Sequence, residues 1–323
     1  MSKGPILVTG GAGFIGSHVC EALLGQGRSV RCFDNLATGK RANVEHLQAD
    51  PRFAFVEGDL RSMDDVRNAL AGASAVVHLG ALGSVPRSIA DPLATEAVNL
   101  TGFVHLLEAA RAAGVKRIVY ASSSSVYGDS TELPKREGTE GRALSPYAVT
   151  KAMDEAYAHL YHRMHGMELV GLRFFNVFGE RQDPEGPYAA AIPKFIRSLL
   201  RHEAPTVNGD GRQTRDFTYV GNAVQAVLCG LKADGAALGR VFNIAYGDRC
   251  DLLTLVGHLR SHLSAIDPAI ADVGIIHAPE RPGDVRDSLA DIGLAKDLLG
   301  YAPAFDLAAG LARAVPWYAE HWR

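Results

Sequence analysis

Tyr147 and Lys151 stand four residues apart in the run SPYAVTKAMDEAYAHLYHRMHG. Ser145 and Pro146 read as the start of a helix, a capping residue followed by a proline in the first turn, so both side chains fall on one helical face. A free tyrosine ionises near pH about 10, and a base working near neutrality must be made more acidic by about 4 kcal/mol. An ammonium about 4 Å away supplies about that much at an effective dielectric near 20. The spacing is therefore sufficient for proton transfer at a hydroxyl. Upstream, RIVYASSSSVYG places Ser122, Ser123, Ser124 and Ser125 where a strand pattern ends. Hydroxyls at a strand's carboxyl end lie where open α/β sheets hold their ligands.

A second set of residues prepares a dinucleotide site. TGGAGFIGSH follows the first strand pattern and opens a helix, with Gly10, Gly13 and Gly16 in a GxxGxxG arrangement. The first glycine permits a tight turn, the second lets backbone amides approach a pyrophosphate, and the third allows helix to pack closely on strand. The second strand pattern ends at Asp34, eighteen residues beyond Gly16. A carboxylate there accepts both ribose hydroxyls of an adenosine and repels a 2′-phosphate, which favours NAD over NADP.

The elements that must hold these residues follow a simple rhythm. PILVTG, SVRCFDN, FAFVEGDL, AVVHLGA, RIVYASS and ELVGLRFFNV alternate with helical patterns, which predicts a doubly wound parallel sheet of the Rossmann α/β kind. LATEAVNLTGFVHLLEAARAAG reads as one long packed helix stopped by Gly114. Beyond residue 173 the rhythm loosens at DPEGP, NGDGRQ, APERPGD and YAPAF, so a smaller mixed α/β substrate-binding domain is expected. The division falls at 1–172 and 173–323, with returns to the first domain near 213–235 and 240–247, where RDFTYV and RVFNIA carry strand signals.

Composition narrows the partners. The 323 residues are 47% apolar and 21% charged, enough for two cores, and a net charge of −3 without a basic stripe argues against nucleic acid. The four cysteines and twelve histidines show no metal-ligand spacing. The N-terminal apolar run is short and broken by glycines, and no later run reaches membrane-spanning length, so a cytoplasmic protein with no membrane partner is expected.

The glycine turn, the serine before VYG and the YxxxK spacing together resemble the extended short-chain dehydrogenase/reductase family. Within it, LGALGSVPRS, SPYAVTK, RFFNVFGERQDP, NGDGRQTRDF and RPGDVRDSLAD resemble bacterial UDP-N-acetylglucosamine 4-epimerases, including those acting on the uronic acids. The resemblance implies Tyr147 as base, Lys151 as the group holding its proton balance and the nicotinamide ribose, and Ser123 or its neighbour Ser124 on the sugar C4 oxygen. It also implies that NAD meets Gly10, Gly13, Phe14, Ile15, Gly16 and Asp34. Asn35, Thr38, Gly39, Asp59, Leu60, Leu79, Ala81 and Asn99 complete that implied set.

For the UDP-sugar the resemblance implies Ser84, Val85, Ser123, Ser125, Asn176, Ala190, Ala191 and Asn208, with Arg215, Arg281 and Asp284 toward the diphosphate and uridine. An arginine fork suits a diphosphate because it gives two charge-assisted bonds. Ser288 stands where hexose-restricted relatives carry a bulky tyrosine, which leaves room for a 2-acetamido group. Dehydratases of similar fold place Asp and Glu just after the active hydroxyl, whereas this chain has Ser124, Ser125 and Val126. Reversible redox at C4 through a transient 4-keto sugar is the chemistry implied, with a homodimer as the expected assembly. A nucleotide-sugar reductase or dehydrogenase, and a catalytically silent NAD-sensing regulator, are the alternative readings.

Overall fold

A computed structural model of the chain describes residues 4–184, 190–280 and 286–322. Its first half alternates strand and helix as the apolar runs require: β1 (Ile6–Thr9), α1 (Phe14–Gly25), β2 (Val30–Asp34), β3 (Phe53–Glu57), α2 (Met63–Leu70) and β4 (Ala75–His78). The short helices α3 (Val85–Ala90) and α4 (Pro92–Glu96) lead to α5 (Gly102–Ala112), β5 (Arg117–Ser123), α6 (Pro146–His165) and β6 (Glu168–Phe174). Among the described residues seven parallel strands form one sheet, in the order Arg240–Ile244, β6, β5, β4, β1, β2, β3. This is the doubly wound Rossmann arrangement anticipated from the alternation. The strand order reverses between β1 and β4, the place where such sheets open a crevice at their carboxyl ends.

Alternation along each strand sends side chains to both faces. Leu7, Val76, Ile118 and Tyr120 pack with Leu70, Phe103 and Leu107 of α2 and α5 on one side. Ile6, Val8, Val77 and Val119 pack with Val19 and Leu23 of α1 and with Val224 and Val227 on the other. The helix Val220–Lys232 lies against β5, β6 and α1. Smaller strand pairs, Thr206–Asn208 with Ile276–Ala278 and Thr214–Arg215 with Cys250–Asp251, build the rest around the helices Ala191–Leu200 and Leu252–Ser264.

The long helix expected over residues 93–113 is continuous in path but changes winding: α4 passes through a π-helical turn, Ala97–Thr101, into α5. The extra residue in that turn brings Asn99 fully inside. Among the described residues no helix is long and apolar enough to cross a membrane, and no cluster of histidine, cysteine and carboxylate groups could hold a metal ion.

Candidate active site

The β1–α1 turn has the shape a dinucleotide pyrophosphate needs. Gly10 adopts φ +64, and a Cβ there would lie 2.7 Å from the Gly80 backbone. A Cβ on Gly16 would lie 2.1 Å from the Gly10 carbonyl oxygen, so only glycine lets α1 sit this close to β1. Gly13 is the N-cap of α1 and no side chain caps the helix, which leaves its first amides pointing outward as an anion site. Phe14 and Ile15 begin the helix and pack on the core.

Asp34 ends β2 beside this turn. Its carboxylate accepts the amides of Ala12 at 3.0 Å and Leu36 at 2.8 Å. Burial raises its pKa while those two amides oppose the rise. A Cβ on Gly39 would fall 2.8 Å from Asp34 Oδ2, so the glycine is what gives the carboxylate its room. The neighbouring cations Lys40 and Arg41 pair with Asp183 and Glu57 at 2.9 and 2.8 Å. Gly10, Asp34, Asn35, Thr38, Asp59, Leu60 and Ala81 gather around one cavity of ≈ 170 Å³, together with Phe33, Gly58, Arg61, Gly80 and Leu82, which the motifs did not indicate. Leu79 extends the β1–β4 ladder by donating to the Thr9 carbonyl. Asn99 is spent on scaffolding: its Oδ1 accepts the Leu82 amide at 2.7 Å and its Nδ2 donates to Thr150 Oγ1 at 3.2 Å.

At the end of β5, the serines divide by partner. Ser122 donates to Glu155 at 2.5 Å, whereas Ser123 accepts the Ser125 amide and meets its hydroxyl, both at 3.1 Å. Ser124 opens the 3₁₀ turn Ser124–Tyr127. Ser145 caps α6 by accepting the Ala148 amide at 3.1 Å, which sets Tyr147 in the first turn, half-buried, and Lys151 one turn below. Lys151 Nζ donates to the Ala121 carbonyl and to Asp154 Oδ2, both at 3.0 Å. Burial favours the neutral amine, but Asp154 and Tyr147 outweigh it and the pKa of Lys151 rises. The ammonium therefore persists beside the phenol.

A brace fixes these parts. Glu155 takes Arg173 of β6 at 2.7 Å, Arg173 reaches the Tyr127 hydroxyl at 2.9 Å, and that hydroxyl donates to Asn243 at 2.7 Å. The sequence motifs missed Asp154, Glu155, Arg173 and Asn243. The available signal was the position of the two carboxylates one turn beyond Lys151.

A second cavity, ≈ 610 Å³, lies in the later half and is lined by Asn176, Ala190, Ala191, Asn208 and Arg215. Gln182 and Gln213 also line it; each donates its amide nitrogen to a backbone carbonyl, leaving a buried Oε1 with no partner among the described residues. Two unmet acceptors beside arginine suit a polar ligand bearing hydroxyl or imide donors together with anionic oxygens. The Ser288 amide donates to the Thr214 carbonyl at 3.1 Å, attaching its segment to the strand that carries Arg215. Ser84 caps α3 ahead of Val85. Ser84, Val85, Ser123, Ser125 and Ser288 are not among the residues lining this cavity. Arg281 and Asp284 lie outside the described residues.

Fold and site together define a dinucleotide-binding α/β protein with a tyrosine–lysine pair at the sheet's carboxyl edge. Residues 6–245 match the NAD dependent epimerase/dehydratase family, and the chain belongs to it. It is 35% identical over 323 residues to a UDP-glucose 4-epimerase of Mycolicibacterium smegmatis, with 97% of each chain covered. Among solved structures, a UDP-N-acetylglucosamine 4-epimerase from Methanobrevibacter ruminantium, in complex with UDP-N-acetylmuramic acid, superposes with TM-score 0.91 at 36% identity, covering 99% of both chains. The UDP-glucuronic acid 4-epimerase of Bacillus cereus, in complex with UDP-glucuronic acid and NAD, superposes with TM-score 0.89 at 32% identity, covering 98% of this chain and 99% of that one. NAD is the cofactor of the family, and the glycine turn with Asp34 fits it.

Proposed function

We propose that the protein is a UDP-sugar 4-epimerase whose substrates are UDP-N-acetylhexosamines or the corresponding uronic acids. The observation that carries this reading is the Lys151 ammonium, buried at the carboxyl end of β5 and one helical turn from Tyr147. Tyr147 removes the proton from the C4 hydroxyl and later returns one, while Lys151 favours the phenolate by its charge. Ser123, at the strand end, holds the C4 oxygen. When bound, NAD would supply reversible hydride exchange at C4, taking the hydride from C4 to leave a 4-keto sugar and returning it to the opposite face. Arg215 anchors the diphosphate while the sugar turns. Ser124, Ser125 and Val126 offer no carboxyl acid for elimination, which separates the reading from a dehydratase. The small Ser288 favours an acetamido substituent.

The outward face of α6 supports a homodimer. Val149, Met153, Tyr157, Leu160 and Met164 recur at helical spacing and are exposed, opposite the face that buries Lys151, and a second copy of the same helix covers such a stripe by two-fold symmetry.

The deciding experiment incubates the purified protein with UDP-GlcNAc, UDP-GlcNAcA and UDP-glucose without added reductant and resolves C4 epimers by NMR. Epimers without net NADH are expected, with the acetamido sugars preferred. Net NADH turnover would replace the reading with a dehydrogenase, and inertness toward all three sugars would remove it.

A further inference from the structure

Lys151 does not meet the phenol as a lone ammonium. One turn further along α6, Asp154 Oδ2 lies 3.0 Å from Nζ, and the two side chains are 2% and 1% exposed. The other oxygen, Asp154 Oδ1, is buried with no hydrogen-bond partner among the described residues. A carboxylate in that position is expensive to desolvate, and a half-satisfied one more so. Helix packing asks for nothing charged there, since its neighbours on the buried face include Ala148 and Ala158.

We propose that Asp154 is a positioning residue which keeps Lys151 in its ammonium form and thereby sets the pH window in which the Tyr147–Lys151 pair works. This rests on the assignment of Tyr147 and Lys151 as the proton-transfer pair.

The surrounding charges leave that task to Asp154. Glu155, next on α6, is bound to Ser122 of β5 and Arg173 of β6. Arg173 is shared among Glu155, Glu140 and the hydroxyl of Tyr127, which lies in the 3₁₀ turn after β5. From β5, Tyr120 stays neutral, its pKa pushed well up by burial and by Glu155 and Asp154. His78 at the end of β4 is neutral too, pushed down to about 3 by burial and by Lys151. Glu108 of α5 is occupied by Arg111 and Tyr161. On α4, Asp91 caps the helix and Glu96 accepts from Thr101, while α3 contributes Arg87. Burial raises Asp154 itself to about 6 against the pull of Lys151, so above that pH it is the anion bonded directly to the lysine.

Neutralising Asp154 displaces both limbs of the pH profile in one direction. On the acidic limb the phenol must be ionised, and an ammonium no longer offset by a carboxylate attracts the phenolate more strongly, so that limb moves to lower pH. On the alkaline limb the ammonium must survive, and a buried amine without its counter-ion gives up its proton earlier, so this limb moves the same way.

The test measures kcat/KM against pH for the wild type and for Asp154→Asn, with Asp154→Ser as a second neutral variant and circular dichroism as the folding check. Both limbs should move acidward by about one pH unit, and the wild-type and variant profiles should converge below pH about 6, where Asp154 takes up its own proton. The ultraviolet tyrosinate titration of each protein, minus that of its Tyr147→Phe counterpart, should show the same acidward displacement without any turnover. A lower kcat with unmoved limbs and an unmoved tyrosinate midpoint would overturn the inference, as would failure of both neutral variants to fold. A wild type inert toward every UDP-sugar would instead sink the assignment of the proton-transfer pair, a different result from an active wild type whose variant keeps its pH profile.

Discussion

Asp216 is wholly buried, and its carboxylate accepts the amides of Tyr246 and Gly247 on one oxygen and of Ala290 on the other, at 3.2 to 3.3 Å. Burial pushes it up to about 7, the three amides opposing. Since the folded chain holds this proton to a higher pH than an unfolded aspartate does, the stability linked to it is complete below pH about 4 and is lost as pH rises toward 7. Asp216→Asn, which does not titrate, should therefore gain on the wild type by on the order of 3 kcal/mol between pH 5 and 8 in urea unfolding. A difference that stays flat over that range would refute the buried, protonatable carboxyl. At the chemistry itself, Tyr147→Phe should lower epimerisation by at least ~10²-fold while NAD stays bound, checked by NMR turnover and cofactor content; undiminished turnover would remove Tyr147 as base. The motifs led to Tyr147, Lys151 and the serine run because each needs a fixed residue type at a fixed spacing. They could not lead to Asp216 or to the Glu155–Arg173 brace, whose roles depend on segments that meet only after folding.

At the scale of elements, the close fit of α1 on β1 makes a sharper demand than any propensity. A Cβ on Gly16 would stand 2.1 Å from the Gly10 oxygen and 2.8 Å from Gly11 Cα, and backbone cannot yield as a flexible side chain can. Gly25, at the other end of α1, has nothing within 4 Å of its would-be Cβ. Gly16→Ala should thus lose about 1–3 kcal/mol and its NAD affinity, while Gly25→Ala should be neutral or gain up to ~1 kcal/mol. Thermal melting with and without NAD checks both, and equal behaviour of the two variants would contradict the packing argument. The strands of the sheet were legible because apolar runs of four to seven residues between turn signals have few other uses. The π turn at Ala97–Thr101 was not, since one inserted residue barely disturbs three-to-four spacing, although it is what turns Asn99 inward to tie Leu82 to Thr150 of α6.

For the whole molecule, α6 is the link between the proposed chemistry and the proposed assembly. Its inner face buries Lys151 and Asp154 against the sheet, and its outer face carries an apolar stripe that ends at Met164, 65% exposed. Leu93 on α4, which packs against α6, is 81% exposed and widens that apolar surface. A large apolar face is costly to leave in water, and pairing it with its own copy requires no second protein. Leu160→Glu places a charge in the stripe more than two turns beyond Lys151, where it should divide the proposed dimer without touching the turn that carries Tyr147 and Lys151. Sedimentation equilibrium should then give the mass of two chains for the wild type and of one for the variant, with NAD still bound to both. A wild type with the mass of one chain would show that the stripe serves something other than self-association. A variant that stays paired would place the contact on another face, and α6 would then hold the active site without also joining the subunits.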